Sequence, residues 1–309
     1  MIAAHADWST SPGKRWISIA RRAGDGWRLG PPEPVGDPAT LLERLRGPGR
    51  VVALGVDLPL GVPRDYARTY VQETDFPAFL CTLAGRPLFF DVCPGLAEIA
   101  PERPFYPARP AKGMTRAGHA AALGLTTLSR LCDRATAIRP AGAPLFWTLG
   151  ANQTGKAAIA AWRDMLVPAM NGPNPPALWP FMGDFKALLS PERVAIAETY
   201  PAEALRHLGL QLRGSKRRQA DRAALAGDLR ARLLEFRVSC TAEMIETIEY
   251  GFGPAADGED RFDSLLGLLC VLNVLAGNRP DGIPDDPWLR RWEGWVLGQT
   301  ELPRDAERA

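Results

Sequence analysis

The 309-residue chain has three histidines, at 5, 119 and 207, and its five cysteines form no C-x-x-C pair. That scarcity argues against a His-rich metal site, a zinc ribbon and a thioredoxin-type redox site. The odd, scattered cysteines at 81, 93, 132, 240 and 270 fit reduced thiols in a cytoplasm. The N-terminus, Met-Ile-Ala-Ala-His-Ala-Asp-Trp, shows neither the basic start nor the long apolar stretch of a signal peptide. The longest apolar run, Leu265 to Ala276, is interrupted by Asn273 and falls short of the ~20 residues a bilayer requires. A large excess of either charge is also missing. The net charge is +2 and the pI about 8.3, less basic than many dedicated nucleic-acid-binding domains. The expectation is a cytoplasmic protein with no membrane partner, with nucleic acid an open possibility and protein partners undetermined.

Hydrophobic content of 46% and charged content of 23% are those of an ordinary globular protein, and a chain this long needs no covalent staples. Residues 2–7 suit a short buried strand. Alternation over 15–21 predicts a second strand, and the Gly24-Asp25-Gly26 turn returns the chain into a third at 27–29. Asp37-Pro38 opens a helix over 39–46, with Leu41, Leu42 and Leu45 on one side. The continuous apolar run 51–56 reads as a central strand covered on both faces. Regular patterning returns with a strand at 194–198. Helices then follow over 217–236, 242–250 and 260–276, the last apolar nearly all round. Between them, about 64–190 is rich in proline loops, with helix patterns at 115–137 and 156–170, and reads as an insertion within a single domain. Trp288, Trp292 and Trp295 are spaced for one side of a C-terminal helix, where packing is their expected role. The predicted class is α/β: a mixed sheet, begun by a three-strand meander, with parallel strands and flanking helices.

Five acidic residues, at four sites, stand where such a fold can gather them. Asp7 ends the first strand, Asp57 ends the fourth, Glu198 ends the strand at 194–198, and Asp260 and Asp263 share a face at the start of the apolar helix. Clustered carboxylates repel unless one protonates or a cation joins them. Hard oxygen ligands suit Mg2+ or Mn2+, and a metal pair can activate water for phosphodiester hydrolysis. Each residue also has a structural explanation. Asp260 can cap its helix, Asp57 can brace the turn before Pro59, and Glu198 can bond the backbone near Tyr200-Pro201.

Two features bear on phosphate. Gly150-Ala-Asn-Gln-Thr-Gly155-Lys156 matches the first part of a P-loop, but Ala157 stands where Ser or Thr would hold magnesium. Lys156 and the amides around it can still hold a phosphate, or simply form a turn. Residues 206–237 carry nine Lys/Arg against three Asp/Glu, densest at Lys216, Arg217 and Arg218. A second, looser group is Arg103, Arg109, Lys112 and Arg116. Such faces either bind phosphates or are only solvated. His119 and His207 have no partner that the sequence can name.

The ordering of Asp7, Asp57 and the Asp260/Asp263 pair resembles the ribonuclease-H-like superfamily. Several stretches resemble an uncharacterised bacterial family of predicted nucleases, domain of unknown function 429. They include HADWSTSPGKRW at 5–16, GVDLPLG at 55–61, RPFYPARP at 103–110 and PLFWTLGANQTGKAAIAAWRDML at 144–166. AETYPAEALRHLGL at 197–210, SKRRQ at 215–219, GEDRFDSLLGLL at 258–269 and EGWVLGQ at 293–299 complete the set. The resemblance implies a metal-dependent nuclease or phosphodiesterase. On the metal-dependent hypothesis, catalysis would fall to Asp7, Asp57, Glu198 and Asp263, metal binding to these and Asp260, and phosphate binding to Lys156, Lys216, Arg217 and Arg218. Ribonuclease H also draws a glutamate from its first core helix. Glu43 is the only acid in that helix here, and the role is not carried onto it. The competing functions are a catalytically inactive binding or structural protein and, further off, a nucleotide-dependent phosphotransferase. The stretch after Asp7 lacks the glycine-rich loop that the last requires.

Overall fold

The computed structural model describes residues 1–110, 112–150 and 154–303. Its chain divides into two compact units. The first comprises 1–57, 184–282 and 296–299, and the second 58–183, 283–295 and 300 onward. The strands are β1 (Ile2–Asp7), β2 (Trp16–Ala23), β3 (Gly26–Leu29), β4 (Glu33–Pro34), β5 (Val52–Val56), β6 (Ala177–Leu178), β7 (Val194–Glu198) and β8 (Val238–Cys240). All but β6 belong to the first unit.

In that unit the strands lie in the order β7-β5-β1-β2-β3-β8, with β4 paired to β2. β1 runs antiparallel to β2 and parallel to β5, and β5 runs parallel to β7. This is a mixed sheet flanked by helices. Parallel pairing brings the carboxyl ends of β1, β5 and β7 to one edge. Every residue of β1, β5 and β7 is buried, as expected of strands covered on both faces.

The register determines which side chains share a face. Ala3, His5 and Asp7 of β1 stand beside Ala20, Ser18 and Trp16 of β2, and beside Ala53 and Gly55 of β5. The long helix Gly258–Leu275 packs on this face, touching β1, β2 and β5. It can come close because the strand residues beneath it are small. A methyl on Gly55 would stand 2.7 Å from Val271 Cγ2, and one on Gly267 would run into the His5 ring. Ser18 and Ser264 bond across the seam at 2.8 Å.

The second unit is built from short helices, including Arg64–Tyr70, Phe76–Thr82, Arg116–Ala122 and Thr154–Ala161. Its core is aromatic: Phe89 packs edge-on to Phe79, Phe105 and Phe146 and stacks on Trp162. Several of its buried and half-buried charges are paired. Arg130 grips Asp133 with two bonds of 3.0 Å, and Arg64 spans Asp286 and Glu293 at 2.6 and 2.9 Å.

Several expected elements differ. The helix predicted for 115–137 stops at Ala122, because Gly124 takes a left-handed conformation that ends it. The helix predicted for 217–236 is two, Gln219–Ala223 and Ala226–Glu235, broken at Ala224 and Leu225. The C-terminal helix is a single wide turn, Leu289–Glu293. Gly294 ends it at φ +69°, so Trp295 lies beyond it. Trp292 and Trp295 are buried. β8 was not expected at all. Among the described residues, no helix is long and apolar enough to cross a membrane.

Candidate functional site

Asp7 closes β1, and the backbone N–H of Asp57 donates to the Ala6 carbonyl at 3.1 Å, extending the ladder by one step. Alternation then turns both carboxylates toward the face covered by the long helix. Asp263 lies one turn before Gly267 on that helix, and Asp260 one turn earlier still. Asp7 and Asp263 are buried; Asp57 and Asp260 are half-buried.

The proximity of these groups registers in their proton affinities. Burial raises Asp7 well above the usual carboxylate range, and the charges of Asp263, Asp57 and Asp260 raise it further. Asp57 is pushed up to about 7, first by burial and then by Asp263, with a smaller push from Glu198. Burial also raises Asp263, against the pull of Lys216. Asp260 rises to about 6 through burial, with Lys14 opposing and Asp263, Glu259 and Asp257 adding repulsion. Lys216 draws down Asp7, Asp57 and Asp263 alike. Its ammonium donates to Asp263 Oδ2. Burial disfavours that ammonium, but the attraction of Asp263 and Asp57 outweighs burial and raises its pKa.

The structural role expected for Asp260 is not the observed one. The helix begins at Gly258 behind Asp257, no side chain caps it, and Asp260 sits inside the first turn. Its Oδ2 and Asp263 Oδ1 are buried without a hydrogen-bond partner among the described residues. Glu198 is fully buried at the end of β7 and pairs in register with Val56. Alternation therefore sends its side chain to the face opposite Asp7 and Asp57, although its charge still reaches Asp57. Glu43 is exposed and paired with Arg46.

The basic residues separate. Lys216 joins the carboxylates. Arg217 is exposed, with Glu259 3.8 Å away, and Arg218 pairs with Asp221 at 2.6 Å. Lys156 is half-buried in the helix Thr154–Ala161 of the second unit. Residues 151–153 of the expected phosphate loop lie outside the described residues. Arg103, Arg109, Lys112 and Arg116 also belong to the second unit. His119 is buried there, with Nε2 2.7 Å from the Pro104 carbonyl oxygen.

Sequence reasoning missed two residues of the site's surroundings. His5 is fully buried in the seam, and burial lowers its pKa to about 3 against a smaller opposing pull from the Ser264 backbone, so it is neutral. Its place on the same face as Asp7, two residues earlier, was the available signal. Arg222 is also buried, in a segment that reads as a solvated basic face.

Whether this donor set suits a hard divalent cation has two answers. By chemistry it does: three carboxylates share one ammonium, and two acid oxygens are buried without partners. By placement, no group of three or more His, Cys, Asp or Glu among the described residues is disposed to hold an ion, and Lys216 supplies the positive charge. Comparison with protein-family models, curated proteins and solved structures yields no match to this chain.

Proposed function

We propose that this protein is a divalent-metal-dependent phosphodiesterase of ribonuclease-H-like build, acting on nucleic acid. The observation that carries the reading is the surplus of negative charge around Asp7. Carboxylates from two strand ends and a helix meet with Lys216 as their common cation. The strand order supports it too: a meander whose first strand pairs in parallel with β5 and, through it, with β7. Asp7, Asp57 and Asp263 would hold Mg2+ or Mn2+, with Asp260 beside them.

Such a cation supplies Lewis acidity and makes water a better nucleophile at neutral pH. The chain's own groups supply the rest. Asp57, pushed up to about 7 in the metal-free protein, would be held ionised by a bound cation and serve as its ligand. Lys216 offers the charge that a phosphate oxygen needs. In the hydrolysis, the water oxygen bonds to phosphorus as the ester P–O bond breaks, and a proton passes to the leaving oxygen.

The experiment is titration of Mg2+ and Mn2+ into wild type and Asp7→Asn, followed by calorimetry and thermal unfolding. Cleavage of single-stranded, duplex and branched DNA and RNA is assayed in parallel. Wild type should bind and be stabilised, Asp7→Asn should not, and cleavage should require the metal. A wild-type protein that neither binds metal nor cleaves any of these substrates overturns the reading. That result favours the second reading, a non-catalytic binding or structural protein. The Lys216–Asp263 pair speaks for it, because it balances part of the acidic charge from within the chain.

A further inference from the structure

Arg222 is 1% exposed, and its guanidinium donates to three backbone carbonyls. Nε donates to Gly251 at 2.8 Å, Nη2 to Gly253 at 2.7 Å, and Nη1 to Lys216. The receiving turn has an unusual conformation. Gly251, Phe252 and Gly253 all have positive φ, at +57°, +62° and +86°, and Phe252 is a residue for which this is costly. The turn leads into the helix that carries Asp263. At that helix's first residue, a methyl on Gly258 would run into Arg222 Nη2 and stand 2.7 Å from the Gly253 carbonyl oxygen. One guanidinium thus joins the backbone of Lys216, the turn, and the start of the Asp263 helix. The Lys216 segment is pinned from its other side as well, since Asp221 Oδ2 accepts from the Ser215 N–H at 2.8 Å and from Arg218 Nε at 2.6 Å.

We infer that Arg222 is the positioning residue of the carboxylate site: by gripping the Lys216 backbone and the turn before the Asp263 helix, it fixes where the Lys216 ammonium stands among Asp7, Asp57 and Asp263. The functional consequence rests on the metal-dependent reading above. A lysine held in place is a resident counter-ion that an arriving divalent cation must share the cluster with or displace. Lysine at position 222 cannot replace the grip, because a point-like ammonium has no planar fork to reach three carbonyls in fixed directions.

The test uses the full chain without metal. Lys216 reactivity toward an amine-acylating reagent is measured by mass spectrometry in wild type, Arg222→Lys and Arg222→Gln, with thermal unfolding to establish that each is folded. Arg222→Lys is the conservative variant that keeps the charge. Lys216 should label roughly tenfold faster in a folded variant, the size expected when one charge-assisted hydrogen bond is lost. Lys14 and Lys186 should be unchanged. Lys216 protection equal to wild type in folded Arg222→Lys overturns the inference. A second arm measures Mn2+ affinity by calorimetry. Lys216→Met and Arg222→Lys should each tighten binding, and the double variant should bind no tighter than Lys216→Met alone. Additive effects would mean that Arg222 acts otherwise than through Lys216, and would overturn the inference. If neither wild type nor Lys216→Met binds Mn2+, the metal reading falls, and the labelling result alone decides the role of Arg222.

Discussion

Around Arg130, in the second unit, both oxygens of Asp133 are engaged, and the remaining guanidinium nitrogen donates to the Leu60 carbonyl at 3.1 Å. Around Asp7, in the first unit, three carboxylates draw on one ammonium, and Asp263 Oδ1 meets no donor among the described residues. Both places remove charge from water, which is costly unless the partners are complete. Completeness marks a group that holds the fold. A deficit, sustained by packing from elsewhere, is the observation on which the metal-binding proposal rests. The packing here is the seam of Gly55, His5 and Gly267, which fixes helix and strands at close range whatever the carboxylates prefer.

The difference can be broken from either side. The largest effect should come from Arg130→Met, which strands Asp133 in the interior. Its loss of stability in chemical denaturation should reach about 3–5 kcal/mol. A loss under ~1 kcal/mol would remove the contrast.

Next in size is the response to pH. Asp57 titrates at about 7 in the folded protein against 3.8 ordinarily, and Asp260 at about 6. Between pH ~4 and ~7 the native state therefore holds protons that the unfolded chain has released. Its stability falls as pH rises through that window, by an amount on the order of a few kcal/mol. Denaturation of the metal-free protein at pH 4.5, 6 and 7.5 measures the slope, and Asp57→Asn should flatten it. A stability that rises across this range would mean that the carboxylates are better compensated than their surroundings imply.

Asp7→Asn is a smaller change and has the opposite sign to Arg130→Met. It removes one member of a repelling set, so the metal-free protein should gain about 1 kcal/mol, seen as a higher denaturation midpoint. A clear loss would place Asp7 among the structural charges. The smallest effect belongs to Arg217→Ala. Its guanidinium is exposed and 3.8 Å from Glu259, so stability should stay within ~0.5 kcal/mol.

The same contrast explains what the sequence made legible. β1, β5 and β7 are short apolar runs with an acid at or just beyond the end, and the long helix is apolar on every side. Such signals survive without knowledge of the partners, so Asp7, Asp57 and Asp263 are legible as a group in the sequence. The face on which each strand-end acid lies depends on register, and Glu198 pairs with Val56 rather than with Asp57. Pairing offsets leave no trace in a single strand. Lys216 was visible as a charge but not as a partner, because its pairing with Asp263 spans 47 positions. The three-residue β8 is too short to show a period. The second unit was the least legible, since its core rests on aromatic side chains from separate short helices and loops.

The seam between His5 and Gly267 has a consequence in time. A ribosome finishes β1 roughly 250 residues before it completes the helix that covers it. At about 5–20 residues per second, that interval lasts tens of seconds. Throughout it His5 has no Gly267 to settle against, and the helix that buries Asp7 and Asp57 is not yet there. The crowding of the carboxylates is thus acquired only after that delay, and it arrives with the docking of a single helix.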